Sequence, residues 1–194
     1  MPSGGKRGRW SGVPVPDRPA VRHDELIAAG IQLLGDESGP ALTVRAVCRR
    51  AGLTERYFYE SFADRDGFVR AVYDNVCASA ISALSTADSP REAVERFVAL
   101  MVDDPVRGRV LLLAPQYEPV LVRSGAQWIP GFIELLHRKL SRIGDPVLQH
   151  MVATSLIGGL TALFVAYLDG RLAVTRAQFI DYCVDMLHTR AAVH

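Results

Sequence analysis

Lysine is almost missing from this chain. Lys6 and Lys139 are the only two, and arginine carries nearly all of the positive charge. That bias fits genomic base composition and carries no functional weight. Charge of one sign is missing as well: 22 Lys and Arg stand against 21 Asp and Glu, for a formal net charge of +1. The field of the whole molecule therefore does not announce a nucleic-acid partner. Cysteine is scarce, and Cys48, Cys77 and Cys183 are odd in number and without metal-ligand spacing, which argues against a disulfide framework and a thiolate metal site. They read as reduced, buried thiols of a cytoplasmic protein. The sequence has no metal motif, phosphate loop or nucleophile elbow, and its five histidines are scattered. No catalytic residue, cofactor or metal is expected, and the protein is not read as an enzyme. Period-two alternation and internal repeats are lacking too, which leaves an all-α fold. The N-terminal basic residues are not followed by an apolar core, so no secretory signal is expected.

What is present is a series of helix signals. Residues 1–20, rich in Gly, Pro and Arg, read as a disordered basic arm in which Lys6, Arg7 and Arg9 could meet DNA. About nine helices follow. The first covers 22–34, with Leu26, Ile27, Ile31 and Leu34 inward, and two short ones lie within 43–62. A fourth runs over 65–84 with Asp64 as its cap. Ser89-Pro90 with Glu92, Asp104-Pro105, Asp145-Pro146, and Thr175 with Gln178 mark later helix starts. They predict helices over 90–102, 105–114, 146–168 and 176–192. A seventh helix, within 119–143, should kink or break at Pro130-Gly131.

The segment 43–62, TVRAVCRRAGLTERYFYESF, is the most informative. Val44, Val47, Cys48 and Ala51 recur at helical spacing, and Gly52 permits a tight turn. Leu53 buries beneath that turn, and the Thr54 hydroxyl can cap the next helix. Phe58 and Phe62 face inward, while Arg56, Tyr57 and Tyr59 are left outward. This is a helix-turn-helix, whose second helix fits the DNA major groove. Together with Leu26-Ile27, Gly39, Thr43-Val44-Arg45, Ala51-Gly52, Tyr59, Phe62, Arg65 and Asp66, the segment resembles the TetR family of transcriptional regulators. The likeness is strong over 22–76 and weaker onward, through Tyr167 to Arg171. Gly30, Glu55, Tyr57 and Ser61 depart from the family pattern.

The expected DNA-binding residues are Thr43, Arg45, Thr54, Glu55, Arg56, Tyr57, Tyr59, Ser61 and Arg65. Arg56 and Tyr57 sit in the first turn of the recognition helix, where side chains reach base edges; Arg can grip guanine with two hydrogen bonds. Glu55 can accept from cytosine or stabilise the helix start. Arg45 can reach a base or a phosphate. Thr43, Thr54, Tyr59, Ser61 and Arg65 are phosphate candidates; the resemblance implies this for Tyr59 and Arg65.

Residues 146–168 carry no Asp, Glu, Lys or Arg and are long enough to cross a bilayer. Gln149, His150, Thr154, Ser155 and Thr161 would be costly in lipid, so a soluble helix buried on all sides, without a membrane, is expected. With Phe179, Cys183, Met186 and Leu187 of the last helix, it predicts a homodimer through the eighth and ninth expected helices. The resemblance further implies an apolar effector cavity lined by Phe97, Met101, Leu112, Tyr117, Trp128, Phe132 and Phe164, with Arg123, Gln127 or His137 as polar groups. The domain plan is then 1–20 arm, 21–67 DNA-binding, and 68–194 effector-binding and dimerising. The implied function is a ligand-responsive regulator: a repressor released from palindromic double-stranded operator DNA by an apolar small-molecule effector, through movement of the fourth helix. The alternative is a helical ligand-binding or scaffolding protein that no longer binds DNA.

Overall fold

The capping signals position most of the helices. In the computed structural model, which describes residues 18–36, 41–139 and 143–191, ten helices and no strands occur among the described residues. They are α1 Arg18–Leu34, α2 Val44–Ala51, α3 Glu55–Ser61, α4 Arg65–Ser85 and α5 Pro90–Met101. Then follow α6 Pro105–Leu112, α7 Ala114–Tyr117, α8 Leu121–Lys139, α9 Pro146–Leu168 and α10 Arg176–Ala191. Lys6, Arg7, Arg9 and Gly39 lie outside the described residues.

The predicted caps of α4, α5, α6, α9 and α10 each have a bond behind them. Asp64 accepts from the Gly67 amide at 2.6 Å, and Ser89 accepts from the Glu92 amide at 3.2 Å. Asp104 caps at Arg107, and Asp145 at Val147. Thr175 and Gln178 complete a reciprocal box, with amide-to-side-chain bonds of 2.9 and 3.2 Å. These bonds satisfy first-turn amides that have no partner within their own helix.

Three expectations need correction. Helix α1 begins at Arg18 instead of residue 22, because Pro19 falls in its first turn, where a missing amide costs nothing. Residues 18–20 of the expected arm are therefore helical. The helix expected over 105–114 stops at Leu112, and a separate one-turn α7 carries Pro115; Pro115 has no amide to donate to the carbonyl four residues back, so the ladder of α6 cannot run on through it. Pro130 does not break α8, which runs unbroken through it. Pro130 and Ala126, whose carbonyl loses its usual amide donor, are both exposed, so water can serve that carbonyl. On the inner side, Leu121, Ser124 and Leu135 remain buried.

The largest core unites α1–α4 with the end of α5 and with α6 and α8, through Leu26, Val47, Phe58, Phe68, Val72, Met101 and Leu121 among others. The three N-terminal helices thus have no core separate from α4. A second core joins α5, α9 and α10 around Val98, Phe164, Phe179 and Cys183. A third lies between α8 and α9 around Ala153 and Leu156. The close approach of α1 to α4 explains the odd Gly30: a Cβ there would lie 2.5 Å from Val72 and 2.6 Å from the Phe68 ring.

Candidate nucleic-acid interface

The turn between α2 and α3 is built by Gly52, at φ +68°, where L side chains are strained. The amide of Leu53 closes it by donating to the Cys48 carbonyl at 2.9 Å. Below α3, Phe58 meets Phe62 and Phe68 at ring separations of 5.6 and 5.1 Å, and Phe62 meets Phe68 edge-on at 4.8 Å. His23 of α1 stacks on Phe62 at 4.9 Å. Phe58 and Phe68 are fully buried. This ring cluster fixes the angle at which α3 leaves the body, so the opposite face of α3 is presented as a rigid ridge.

Along that ridge Glu55, Arg56, Tyr59 and Ser61 are exposed, with Tyr59 at 56 %. Arg45 is exposed near the start of α2, and Thr43 caps that helix by accepting from the Ala46 amide at 3.2 Å. Thr54 is the N-cap residue of α3, yet its side chain makes no capping bond. The expected hydroxyl cap is therefore absent; the Thr54 carbonyl instead accepts from the Tyr57 amide at 3.0 Å. Arg56 is paired with Glu60 one turn on, at 3.0 Å and with 84 % of its side chain exposed. A surface pair of this kind contributes about 0.3–0.5 kcal/mol and yields readily to a stronger partner. Tyr57 is half-buried, and the Arg22 guanidinium sits over its ring at 4.2 Å.

Arg65 is placed differently from a solvent-facing phosphate contact. Its guanidinium grips Glu118 with two bonds of 2.6 and 3.2 Å, and its Nε donates to the Leu42 carbonyl at 2.9 Å. The Glu118 side chain is only 12 % exposed. Hydrogen bonding to Glu118 pushes the Arg65 pKa further up, so the charge is permanent. The start of α4 is thereby tied both to the residue preceding Thr43 and to the corner between α7 and α8. Tyr117, expected in the effector cavity, strengthens the same corner. It is 56 % exposed, and its hydroxyl donates to the Leu34 carbonyl, at the end of α1, at 2.7 Å. Sequence spacing could not find Glu118, because no periodic rule joins residue 65 to residue 118.

The rest of the expected effector set divides between two cores. Met101 is fully buried in the first, with Trp128 and Phe132 packed against it. Phe164 belongs to the second and meets Phe97 edge-on at 4.8 Å. Phe97 and Leu112 touch both cores. The Trp128 indole donates to Asp74 of α4 at 2.6 Å, which orients the ring. A surface recess of about 340 Å³ between α5 and α10 is lined by Arg91, Glu95, Arg176, Ala177, Ile180 and Asp181, none of them from the apolar set.

All three thiols are buried. Burial pushes Cys77 up to about 12 and Cys183 up to about 11, and raises Cys48. No group of three or more potential metal-ligating side chains occurs among the described residues.

The comparisons with known proteins agree with this geometry. Residues 26–72 match the family model described as bacterial regulatory proteins, tetR family. Over 165 residues the chain is 25 % identical to the HTH-type transcriptional regulator BetI of Rhizobium meliloti (strain 1021), spanning 83 % of this chain and 75 % of that one. A tetR-family transcriptional regulator from Streptomyces coelicolor superimposes with a TM-score of 0.69 at 14 % identity, over 89 % of this chain and 80 % of that one. The fatty acid degradation regulator FadR from Bacillus halodurans does so at 0.66 and 13 % identity, over 89 % and 100 %. At these identities the structural likeness is one of fold.

Proposed function

We propose that the chain, residues 26–72 of which match the tetR family of bacterial regulatory proteins, is a DNA-binding transcriptional regulator of that family: a homodimeric repressor released from a palindromic operator by an apolar small molecule. The observation that carries this reading is the division of α3: Phe58 is sealed beneath it while Arg56, Tyr59 and Ser61 stand outside, beside Arg45. An α-helix so presented fits a major groove. Thr43, Thr54, Tyr59 and Ser61 then hold phosphates, and Arg45, Glu55, Arg56 and Tyr57 face bases. Arg65 serves the interface indirectly, by holding the entry to α2.

The dimer reading rests on α9. This helix is long and apolar enough to span a membrane, yet it packs on its neighbours here, with only 22 % of its most apolar stretch buried. Val147 is 69 % and Met151 63 % exposed, and Thr154, Gly158, Thr161 and Ala162 continue that face. A second copy covers it, and two recognition helices then meet two half-sites. A Cβ at Gly159 would lie 3.6 Å from Met186 of its own subunit, whereas one at Gly158 would meet nothing within 4 Å.

Residues 21–67 form the reading head and 68–194 the sensing and dimerising body, in the cytoplasm. The effector wedges at the seam where Phe97 and Leu112 touch both cores. There it displaces α4, whose start is tied to the reading head through Arg65. The effector must favour the arrangement that cannot bind DNA. A fatty acid is a fitting first probe, since one protein of the same fold regulates fatty acid degradation.

The test is selection of bound duplexes from a random pool by the detergent-free protein, followed by affinity measurements at several salt concentrations. Enrichment of an inverted repeat, with affinity falling as salt rises, is the expected result. An unenriched pool would sink the repressor reading and return the protein to ligand binding or scaffolding.

A further inference from the structure

The first turns of α1 rest on both ends of the recognition helix. Arg22 lies over the ring of Tyr57, the third residue of α3, with its guanidinium carbon 4.2 Å from the ring centroid. His23 stacks on Phe62, just past the end of α3, at 4.9 Å. Phe62 is buried and belongs to the core, whereas Tyr57 and Arg22 are both only half-buried. The Arg22–Tyr57 contact is therefore at the margin of the core, where it orders a side chain that packing alone does not hold. A planar guanidinium suits the face of an aromatic ring, which carries the negative end of its quadrupole. Covering one face restricts the ring's rotamers and leaves its other face and the hydroxyl edge to a partner.

We propose that Arg22 is a specificity-determining residue of the DNA interface, which acts by holding the Tyr57 ring in the orientation that meets a base. This rests on the DNA-binding reading above. Arg22 is then a positioning residue, and Tyr57 the group in contact. The pair is a unit: removing either member changes readout at the same base position. A phosphate contact at Arg22 would behave otherwise, because it weakens binding to all sequences alike.

The full chain is tested in a double-mutant cycle of Arg22→Gln and Tyr57→Leu. It is read by the base-preference profile from duplex selection, by the salt slope, and by the unfolding midpoint. Each single variant is expected to flatten preference at the same one or two positions of the half-site, and the double variant to lose no more than either. The pair should couple by about two- to five-fold in affinity, the size of an exposed cation–π contact. Tyr57→Phe keeps the ring and should keep the coupling. Arg22→Lys keeps the charge but not the planar fork, and should shift the same positions with the fold intact. It decides the question should Arg22→Gln lower the unfolding midpoint. Uniform weakening by Arg22→Gln, with a salt slope reduced by about one and an unchanged profile, would overturn the inference and make Arg22 a phosphate contact; so would an unchanged profile in Arg22→Lys. Failure of the unmodified protein to select any sequence would overturn the DNA-binding reading, and this inference with it.

Discussion

The two ends of the molecule treat their apolar residues in opposite ways. Around α3, Phe58, Phe62 and Phe68 are packed ring on ring and almost wholly hidden. Along α9, Val147 and Met151 stand in the open, on a helix without a single Asp, Glu, Lys or Arg. The first surface is finished by its own chain and shows polar groups; the second is left unfinished. A finished polar ridge suits a charged, hydrated partner, and an unfinished apolar face suits another protein surface. Buried large apolar side chains contribute roughly 1.5–3 kcal/mol each, so α9 forgoes stabilisation that a second copy would supply.

The largest expected effect breaks the finished side. Gly30→Val places its Cβ 2.5 Å from Val72, closer than atoms pack, and Phe58→Ala empties the ring cluster at a cost of about 3–5 kcal/mol. Thermal unfolding should show both destabilised, and DNA binding should fail with the fold. A Gly30→Val protein that melts like the parent would mean that α1 does not lie against α4 as described.

The next effect breaks the unfinished side. Met151→Glu combined with Gly158→Glu puts charge on the open face of α9 without touching a core residue. Light scattering should report twice the chain mass for the parent and the single mass for the variant, with helix content by circular dichroism unchanged. A parent that is already a folded, soluble monomer would remove the dimer and leave the exposed face without its proposed partner.

The two sides are joined through the corner between α7 and α8, and that link can be sharpened. Glu118→Gln and Arg65→Lys each loosen a charge-assisted, bidentate pair, with an expected loss of about 1–3 kcal/mol in stability or DNA affinity. If Arg65 acts as a tie, both variants weaken DNA binding and leave the salt slope intact. A slope lower by about one for Arg65→Gln, with Glu118→Gln leaving the slope unchanged, would restore Arg65 to the phosphate contacts.

The smallest effect is a pH dependence. In the unfolded chain the thiols titrate near 8.5, whereas burial holds Cys77 at about 12 and Cys183 at about 11 in the folded one. Between roughly pH 8.5 and 11 the unfolded state therefore binds fewer protons than the folded state, so stability falls as pH rises through that window. Denaturant midpoints at pH 7.5 and 10 should differ in that direction. A thiol reagent that labels the native protein fully at pH 8 would contradict the burial of all three.

How legible this was in the sequence depended on the range of the interaction. Local rules worked: Asp64, Ser89, Asp104, Asp145 and Thr175 each begin a helix, because a cap bonds an amide two or three residues away. The inward set Leu26, Ile27, Ile31 and Leu34 is buried as periodicity required. Where a local rule met tertiary packing, packing won, as at Pro130 within α8. Contacts across long stretches of chain were not legible at all. Arg65 with Glu118, Tyr117 with Leu34, and Trp128 with Asp74 join residues more than fifty positions apart. All three involve a residue expected at a functional site, and each ties that residue to a distant part of the fold.

The bonds from Arg65 and Tyr117 bear on how such proteins can be recombined. A chimera that transplants the reading head alone, cut after residue 67, would leave the Leu34 carbonyl without the Tyr117 hydroxyl and Arg65 without Glu118. A seam placed after Leu121 carries both donors and acceptors across together, along with the stretch of α4 that packs beneath α1. Of two chimeras on the same foreign body, the later cut should melt at the higher temperature and keep its operator preference. The unit of exchange in this fold is then longer than the motif that reads the DNA.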